Sequence, residues 1–198
     1  MPEPEALFPA AAPDLDRIDP LIRTPYSAPM ITINTFTFQF DFAEDRIRLV
    51  GNLNNDAPRI NFWLTRRLAL RLLDAGNQMV QQTSRRVAES PMEFRQATAR
   101  FEHEEARQNI NATSQPIPES AATTPELLQR IDLAHKDGHY QLRLFGQDDP
   151  DEIAAVSVLT YAELHQFLHL IYTGCSRLDW GAPELFSGPV SGKKPTLQ

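Results

Sequence analysis

From Met30 the chain settles into a period of two. Ile31 and Ile33, then phenylalanines at 36, 38, 40 and 42, alternate with Thr, Asn, Gln and Asp. Alternate side chains of a strand leave on opposite faces, so a strand is predicted with the phenylalanines on one face. Thr35, Thr37, Gln39 and Asp41 take the other. The parity slips between Ile33 and Phe36, which predicts a bulge or bend near Asn34-Thr35. Ala43-Glu44-Asp45 turns the chain, and 46–53 returns with Ile47 and Leu49 on one face and Arg46 and Arg48 on the other. A polar loop over 52–58 leads into a third strand over 59–64. Thr65 is then placed to cap a helix in which Leu68, Leu72, Ala75 and Met79 recur at three-and-four spacing. Leu64, Leu70 and Leu73 widen that stripe. Gly76 weakens the helix, and its periodicity fades beyond Val80.

Ser90-Pro91-Met92-Glu93 has the form of a capping box with proline at the first helical position, so a new helix is predicted from there to about 109. Phe94, Ala97, Phe101 and Ala106 give it a thin apolar stripe. A polar, Pro-rich linker over 110–124 follows, then a strand over 126–135 with Leu127, Ile131 and Leu133. Lys136-Asp137-Gly138-His139 is a hairpin turn, because Asp-Gly readily supplies the positive φ angles a type I′ turn needs. The strand over 140–146 returns, 147–152 is an acidic loop, and 153–159 is a third strand. Thr160 caps a last helix with Leu164, Phe167, Leu168 and Ile171 inward, ended by Gly174.

The stretch 47–75 occurs twice. Moved ninety-five positions without a gap, Arg48, Leu49 and Gly51 fall on Arg143, Leu144 and Gly146; Asp56 falls on Asp151. Leu64, Thr65 and Leu73 fall on Leu159, Thr160 and Leu168. The expected fold is therefore α+β: an internal duplication of a three-stranded antiparallel sheet plus helix unit, with an inserted helix between copies. The expected divisions are an extended or disordered N-terminal segment (1–29), a first unit (30–89), the inserted helix and linker (90–124), a second unit (125–180) and a disordered tail (181–198). In element order alone, with no shared residue motif, such a duplication resembles the single-stranded nucleic-acid binders of the Whirly and Pur type. The resemblance implies binding of single-stranded DNA or RNA.

Composition adds three constraints. Thirteen of the sixteen prolines crowd the first thirty residues, 116–125 and the last sixteen, which marks tails and a linker. A lone Cys175 excludes an internal disulfide framework and fits a reducing compartment. No secretory leader is expected, and no apolar stretch approaches the roughly 20 residues that span a bilayer, so a cytoplasmic protein without membrane contact is expected. The net charge of −7 argues against bulk nucleic-acid binding, yet the charge is segregated. Arg46, Arg48, Arg59, Arg66, Arg67, Arg71, Arg85 and Arg86 face only Asp56 and Asp74 in the same stretch. In the second half Asp132, Asp137, Asp148, Asp149, Asp151, Glu152 and Glu163 outweigh Arg130, Lys136 and Arg143. Such asymmetry suggests a charged partner, or two halves facing one another.

Candidate chemistry is sparse. His165 and His169 share a helix face, but Gln-Phe-Leu separates them, without the Glu of a zinc-protease helix, and surface histidines are expected. Cys175 has no His or Asn motif around it. The acidic run 147–152 lacks calcium-loop spacing. The phenylalanine strand, beside Arg46, Arg48 and Arg59, could serve base stacking only if its rings faced outward; core packing is expected. The function expected is a non-catalytic interaction or assembly module that binds a protein partner with an acidic surface through Arg46, Arg48, Arg66, Arg67 and Arg71. Asp74 can serve Arg71 locally, and the acidic loop of the second half is a rival internal partner. A homodimer through Phe94 and Phe101 is expected, with no cofactor, metal or catalysis. The alternative is a single-stranded DNA or RNA binder.

Overall fold

The computed structural model describes residues 30–108, 117–118, 124–149 and 151–186. The expectations for 1–29, for most of the linker and for 187–198 lie outside the described residues. The elements in order are β1 (Ile31–Thr32), β2 (Phe36–Asp41), β3 (Arg46–Gly51), β4 (Ile60–Leu64), α1 (Arg66–Thr83), α2 (Arg85–Glu89), a 3₁₀ turn (Met92–Phe94), α3 (Arg95–Gln108), β5 (Glu126–Leu127), β6 (Arg130–Lys136), β7 (His139–Phe145), β8 (Ala155–Leu159) and α4 (Tyr161–Arg177). The fold is α+β.

The sheets have four strands rather than the three expected. One runs β2-β3-β4-β5 and the other β1-β8-β7-β6. Each antiparallel trio gains a short parallel strand from the other half of the chain: Ile31 pairs with Ala155 and Thr32 with Val156, while Phe62 pairs with Glu126 and Trp63 with Leu127. The parity slip at Asn34-Thr35 is thus no bulge within one strand. It is where the chain leaves one sheet for the other, and the strand expected over 126–135 breaks at Leu128-Gln129 for the same reason.

Both crossings are pinned by hydrogen bonds. Ile33 N–H donates to Val156 O at 2.7 Å, and Leu128 N–H to Trp63 O at 3.0 Å. The side chains at these two positions are buried. Ser157 Oγ donates to Ile33 O at 2.8 Å. Asn52 closes the first crossing from the β3 end. It is fully buried, and its φ of 59° is a left-handed conformation that Asn tolerates better than most residues. Its Oδ1 accepts from Asn34 N–H at 2.8 Å, and its Nδ2 donates to Thr32 O at 2.8 Å and Pro58 O at 3.0 Å.

Both threonine caps form. Thr65 Oγ1 accepts from Leu68 N–H, and Thr160 exchanges bonds with Glu163 in a full capping box. Helix α1 buries Ala69, Leu72, Leu73, Gly76 and Val80, and a Cβ on Gly76 would stand 2.5 Å from Leu168 Cδ2 of α4. Gly76 therefore leaves the room that the Leu168 side chain of α4 fills. Gly174 does not end α4, which continues to Arg177. It seats α4 on β2 and β3, since a Cβ there would lie 2.6 Å from both Phe40 Cε1 and Ile47 Cδ1.

The capping box expected at Ser90 does not form. Ser90 Oγ donates to Arg86 O at 2.8 Å and meets Thr98 Oγ1 at 2.9 Å, and a 3₁₀ turn precedes α3. The two phenylalanines of the thin apolar stripe, expected as a contact between copies, lie outside the core. Helix α3 buries Ala99, Glu102, His103 and Ala106, and leaves Phe94, Ala97 and Phe101 outside.

One core joins the halves. Ile47, Leu49, Phe62 and Leu64 from one sheet meet Tyr140, Leu142 and Leu144 from the other, with Leu72, Leu164, Leu168 and Ile171 among them. Each such side chain contributes about 1.5–3 kcal/mol by leaving water. Phe36 and Phe38 pack on Phe167 of α4 at centroid distances of 4.9 and 5.7 Å, whereas Phe42 sits past the strand end and is 70% exposed. Trp180, Leu185 and Phe186 are buried as well, the last two inside the span expected as tail. Replacing Asn52 with Ala strands the backbone groups it serves and should cost about 1–3 kcal/mol. A chemical-denaturation midpoint equal to that of the parent would contradict its role as the crossing's anchor.

Candidate functional site

Most buried polar chemistry lies where the α1–α2 junction, α3, β7 and α4 meet. Ser84 caps α2, its Oγ accepting from Val87 N–H at 3.1 Å, and the same hydroxyl donates to Glu102 Oε2 at 2.8 Å. Tyr161 OH donates to that oxygen at 2.5 Å. Thr83 and Tyr140 share a hydroxyl contact of 2.6 Å beside them. Glu102 is only 8% exposed, so these two donors do what water would do for its carboxylate. Burial, and then the bond to Glu102, push the Tyr161 phenol well above its ordinary value; burial raises that of Tyr140. A phenol so held keeps its proton and acts as a fixed donor. A cavity of about 260 Å³ opens beside the cluster, lined by Arg86, Glu102, Glu105, Ala106, Tyr161 and Ala162.

Next to it the histidines gather. His165 is 1% and His103 5% exposed, and their Nδ1 atoms stand 3.1 Å apart, so one ring carries the proton and the other accepts it. His169 lies 5.6 Å from the His103 ring. The surface histidines expected on α4 are thus half wrong: His165 faces the core and His169 is partly buried. The residue that joins them is His103 of α3, which α3's polar inner face hid from any reading of apolar periodicity. Nε2 of His165 is buried without a hydrogen-bond partner. Burial, reinforced by His169 and Arg107 and opposed by Glu104, lowers the His103 pKa to about 4. Burial, with His103 adding to it, lowers that of His165 to about 3. Both rings are neutral at neutral pH. Among the described residues no group of three or more His, Cys, Asp or Glu is arranged to hold a metal ion.

No known protein family, curated protein or solved structure matches the chain. Its chemistry is therefore argued from its own residues.

Cys175 is buried in α4, and burial raises its thiol to about 11, so it is not a poised nucleophile. The acidic loop turns on itself: Asp149 Oδ1 accepts from Asp151 and Glu152 N–H at 3.1 and 3.2 Å, and Asp148 N–H donates to Glu126 at 3.1 Å. It lines a cavity of about 210 Å³ with Met30, Ile31, Ile153 and Ala154. Among the described residues it makes no ion pair with the arginines of α1. The arginines singled out from sequence fall on two surfaces. Arg66, Arg67 and Arg71 project from the exposed side of α1, with no ion pair or hydrogen bond among the described residues. Asp74, expected to serve Arg71, instead accepts from Gln78 Nε2 at 2.9 Å. Arg46 and Arg48 are half-buried on the outer face of their sheet, opposite Asp41 and Gln39. Arg48 Nη2 donates to Asn61 Oδ1 at 3.2 Å.

The histidine pair makes stability pH-dependent. Unfolded histidines titrate near 6.5 and the folded pair near 4 and 3, so between those values the unfolded chain binds more protons. The pair's stabilisation is complete above about 6.5 and is lost as the pH falls, at roughly 1.4 kcal/mol per unit for each ring. Urea unfolding followed from about pH 7 to about pH 4.5 should show that decline, and His165→Phe should flatten it. A wild-type profile level across that window would mean the pair is not held neutral.

Proposed function

We propose that the chain is a non-catalytic interaction module that docks an acidic protein surface on helix α1. The observation that carries this reading is the exposure of Arg66, Arg67 and Arg71 with no acidic side chain to pair with among the described residues. Elsewhere Arg85, Arg86, Arg100, Arg107 and Arg130 all have carboxylate partners within 4.0 Å. Guanidinium groups pair with carboxylates in bidentate fashion, and three on one helix favour a partner of matching spacing. Arg46 and Arg48 are a secondary contact in this reading, because both are half-buried and Arg48 donates to Asn61.

The same reading holds that the two halves are copies of one unit. Elements ninety-five positions apart support it: Ile31–Thr32 with Glu126–Leu127, and Ile60–Leu64 with Ala155–Leu159, followed in each case by a Thr-capped helix. It also includes a homodimer. Met92, Phe94 and Phe101 are 81%, 58% and 58% exposed along α3 and the turn before it, and Arg86, 5.2 Å from the Phe101 ring, covers part of that stripe. A cytoplasmic location belongs to the reading too. Among the described residues no helix is long and apolar enough to cross a membrane.

Binding to a labelled poly-glutamate peptide and to a labelled single-stranded oligonucleotide of equal length separates the acidic-protein reading from the nucleic-acid one. Arg67→Glu with Arg71→Glu should abolish peptide binding and leave the unfolding midpoint within about 0.5 kcal/mol of the parent, as surface charges do. Stronger binding to the oligonucleotide, lost steeply with salt, would move the reading to nucleic acid. Light scattering should show a dimer that Phe94→Glu dissociates; a monomer at high concentration removes that element.

A further inference from the structure

We propose that residues 181–186 form a strap that closes over the His103–His165 pair at neutral pH and is released when the pair takes up protons. The segment leaves α4 at Trp180, whose indole N–H donates to Asp45 Oδ1 at 2.6 Å. It ends with Leu185 and Phe186 buried on α3 and α4. The Phe186 ring lies 5.0 Å from His103 and 5.2 Å from His165, so three rings form one triangle. Phe186 has a φ of 57°, a left-handed conformation that residues with a Cβ rarely adopt. That strain is sustained only while the ring stays seated.

The strap is also one wall of a cavity. Arg100, His103, Glu104 and Arg107 of α3, His169 and Tyr172 of α4, and Glu184 and Leu185 of the strap enclose about 100 Å³. Lifting the strap therefore brings water to His103 without separating α3 from α4. Besides buried side chains, an exposed ion pair between Arg100 and Glu184 at 3.0 Å holds it. Exposed pairs contribute little, so the apolar seat of Leu185 and Phe186 dominates.

Protons act on this seat in a defined way. In the closed form a single proton bridges the two Nδ1 atoms at 3.1 Å, and two imidazolium rings would set N–H against N–H. The charged and titratable groups around the pair, among the described residues, are Glu102, Glu104, Arg100 and Arg107 on α3, with His169 and the neutral phenols of Tyr161 and Tyr172 on α4. Arg86 on α2 is occupied by Glu105 at 3.2 Å, and Glu184 of the strap by Arg100. Glu102 is held by Ser84 and Tyr161, and Glu104 by Arg107 at 2.9 Å. Among the described residues no carboxylate is hydrogen-bonded to either ring. Opening restores His103 from about 4 toward its ordinary 6.5. At pH 5 that raises the opening constant roughly 30-fold for this ring alone.

Hydrogen–deuterium exchange of 181–186, corrected for the intrinsic pH dependence and measured on the full chain at about pH 7 and about pH 5, tests the device. The expected result is a loss of protection on the order of 30-fold in this segment while β3 and β4 keep theirs. His165→Phe should reduce that response several-fold, whereas Glu184→Gln should leave it in place. Ring ¹⁵N shifts give an independent reading: both histidines should titrate well below 6.5 in the parent. In Phe186→Ala they should move up toward that value. Unchanged protection at the two pH values overturns the proposal, as does loss of protection in strap and sheets together. An undiminished response in His165→Phe, or parent rings that titrate near 6.5, does the same.

Discussion

Neither half of this chain can complete its own sheet. β1 hydrogen-bonds to β8 and β5 to β4, so each antiparallel trio is finished by two residues from the other end of the sequence. Two-residue strands have almost no stability of their own. They persist because Ile33 and Leu128, one step further on, are buried and their N–H groups are spent across the crossing. The helices follow the same logic. Gly76 lets α1 reach Leu168, and Gly174 lets α4 sit on Phe40 and Ile47, which belong to the half that α4 does not follow in sequence. The contacts that close each sheet also merge the cores, so unfolding one half removes support from the other. Long-range pairing of this kind has to overcome loop-closure entropy before any contact stabilises it.

Helix α3 stands apart from this scheme. Its inner face offers Ala99, Glu102, His103 and Ala106, and what it buries is largely polar. A carboxylate and an imidazole in the interior persist only with partners, and every partner here comes from elsewhere: Ser84 from the α1–α2 junction, Tyr161 and His165 from α4. The seam between α3 and α4 is therefore specified by hydrogen-bond geometry, whereas the sheets are specified by apolar packing. Specification of the first kind responds to protons. Specification of the second kind does not.

Much of the sheet architecture was legible in sequence. The turns, the type I′ signal at Asp137-Gly138 with φ angles of 52° and 75°, and both threonine caps follow from local chemistry and appear where local chemistry places them. What periodicity could not show was which sheet a strand joins. The slip between Ile33 and Phe36 was visible, but a bulge and a crossing leave the same trace along one strand. Gly174 misled because glycine ends helices by conformation and also sits within them for close packing; only the neighbour, Phe40, tells these apart. On α3 the exposure of Phe94 and Phe101 was expected, but the inner face was not: its polar residues find partners some sixty positions away, Glu102 with Tyr161 and His103 with His165. No local signal reports a partner at that separation. The arginine face of α1 was legible, since charge off an amphipathic stripe projects outward. That the acidic loop would turn inward on Asp149 rather than across to α1 was not.

The two surfaces on which the proposals rest differ in how tightly the fold holds them. Arg66, Arg67 and Arg71 ride on the first turns of a helix whose inner face is anchored at Ala69, Leu72 and Leu73, so their spacing is fixed before any partner arrives. A rigid display of charge gains affinity without ordering costs on the protein's own side. The strap is the opposite case, since apolar seating against two neutral rings holds it and its backbone is strained where it ends at Phe186. In the proposed device a proton at His103 acts on the strap, whereas α1 keeps its own apolar seat through Ala69, Leu72 and Leu73. The chain thus combines a rigidly held arginine face with a segment seated on two neutral rings, each built on a different class of interaction.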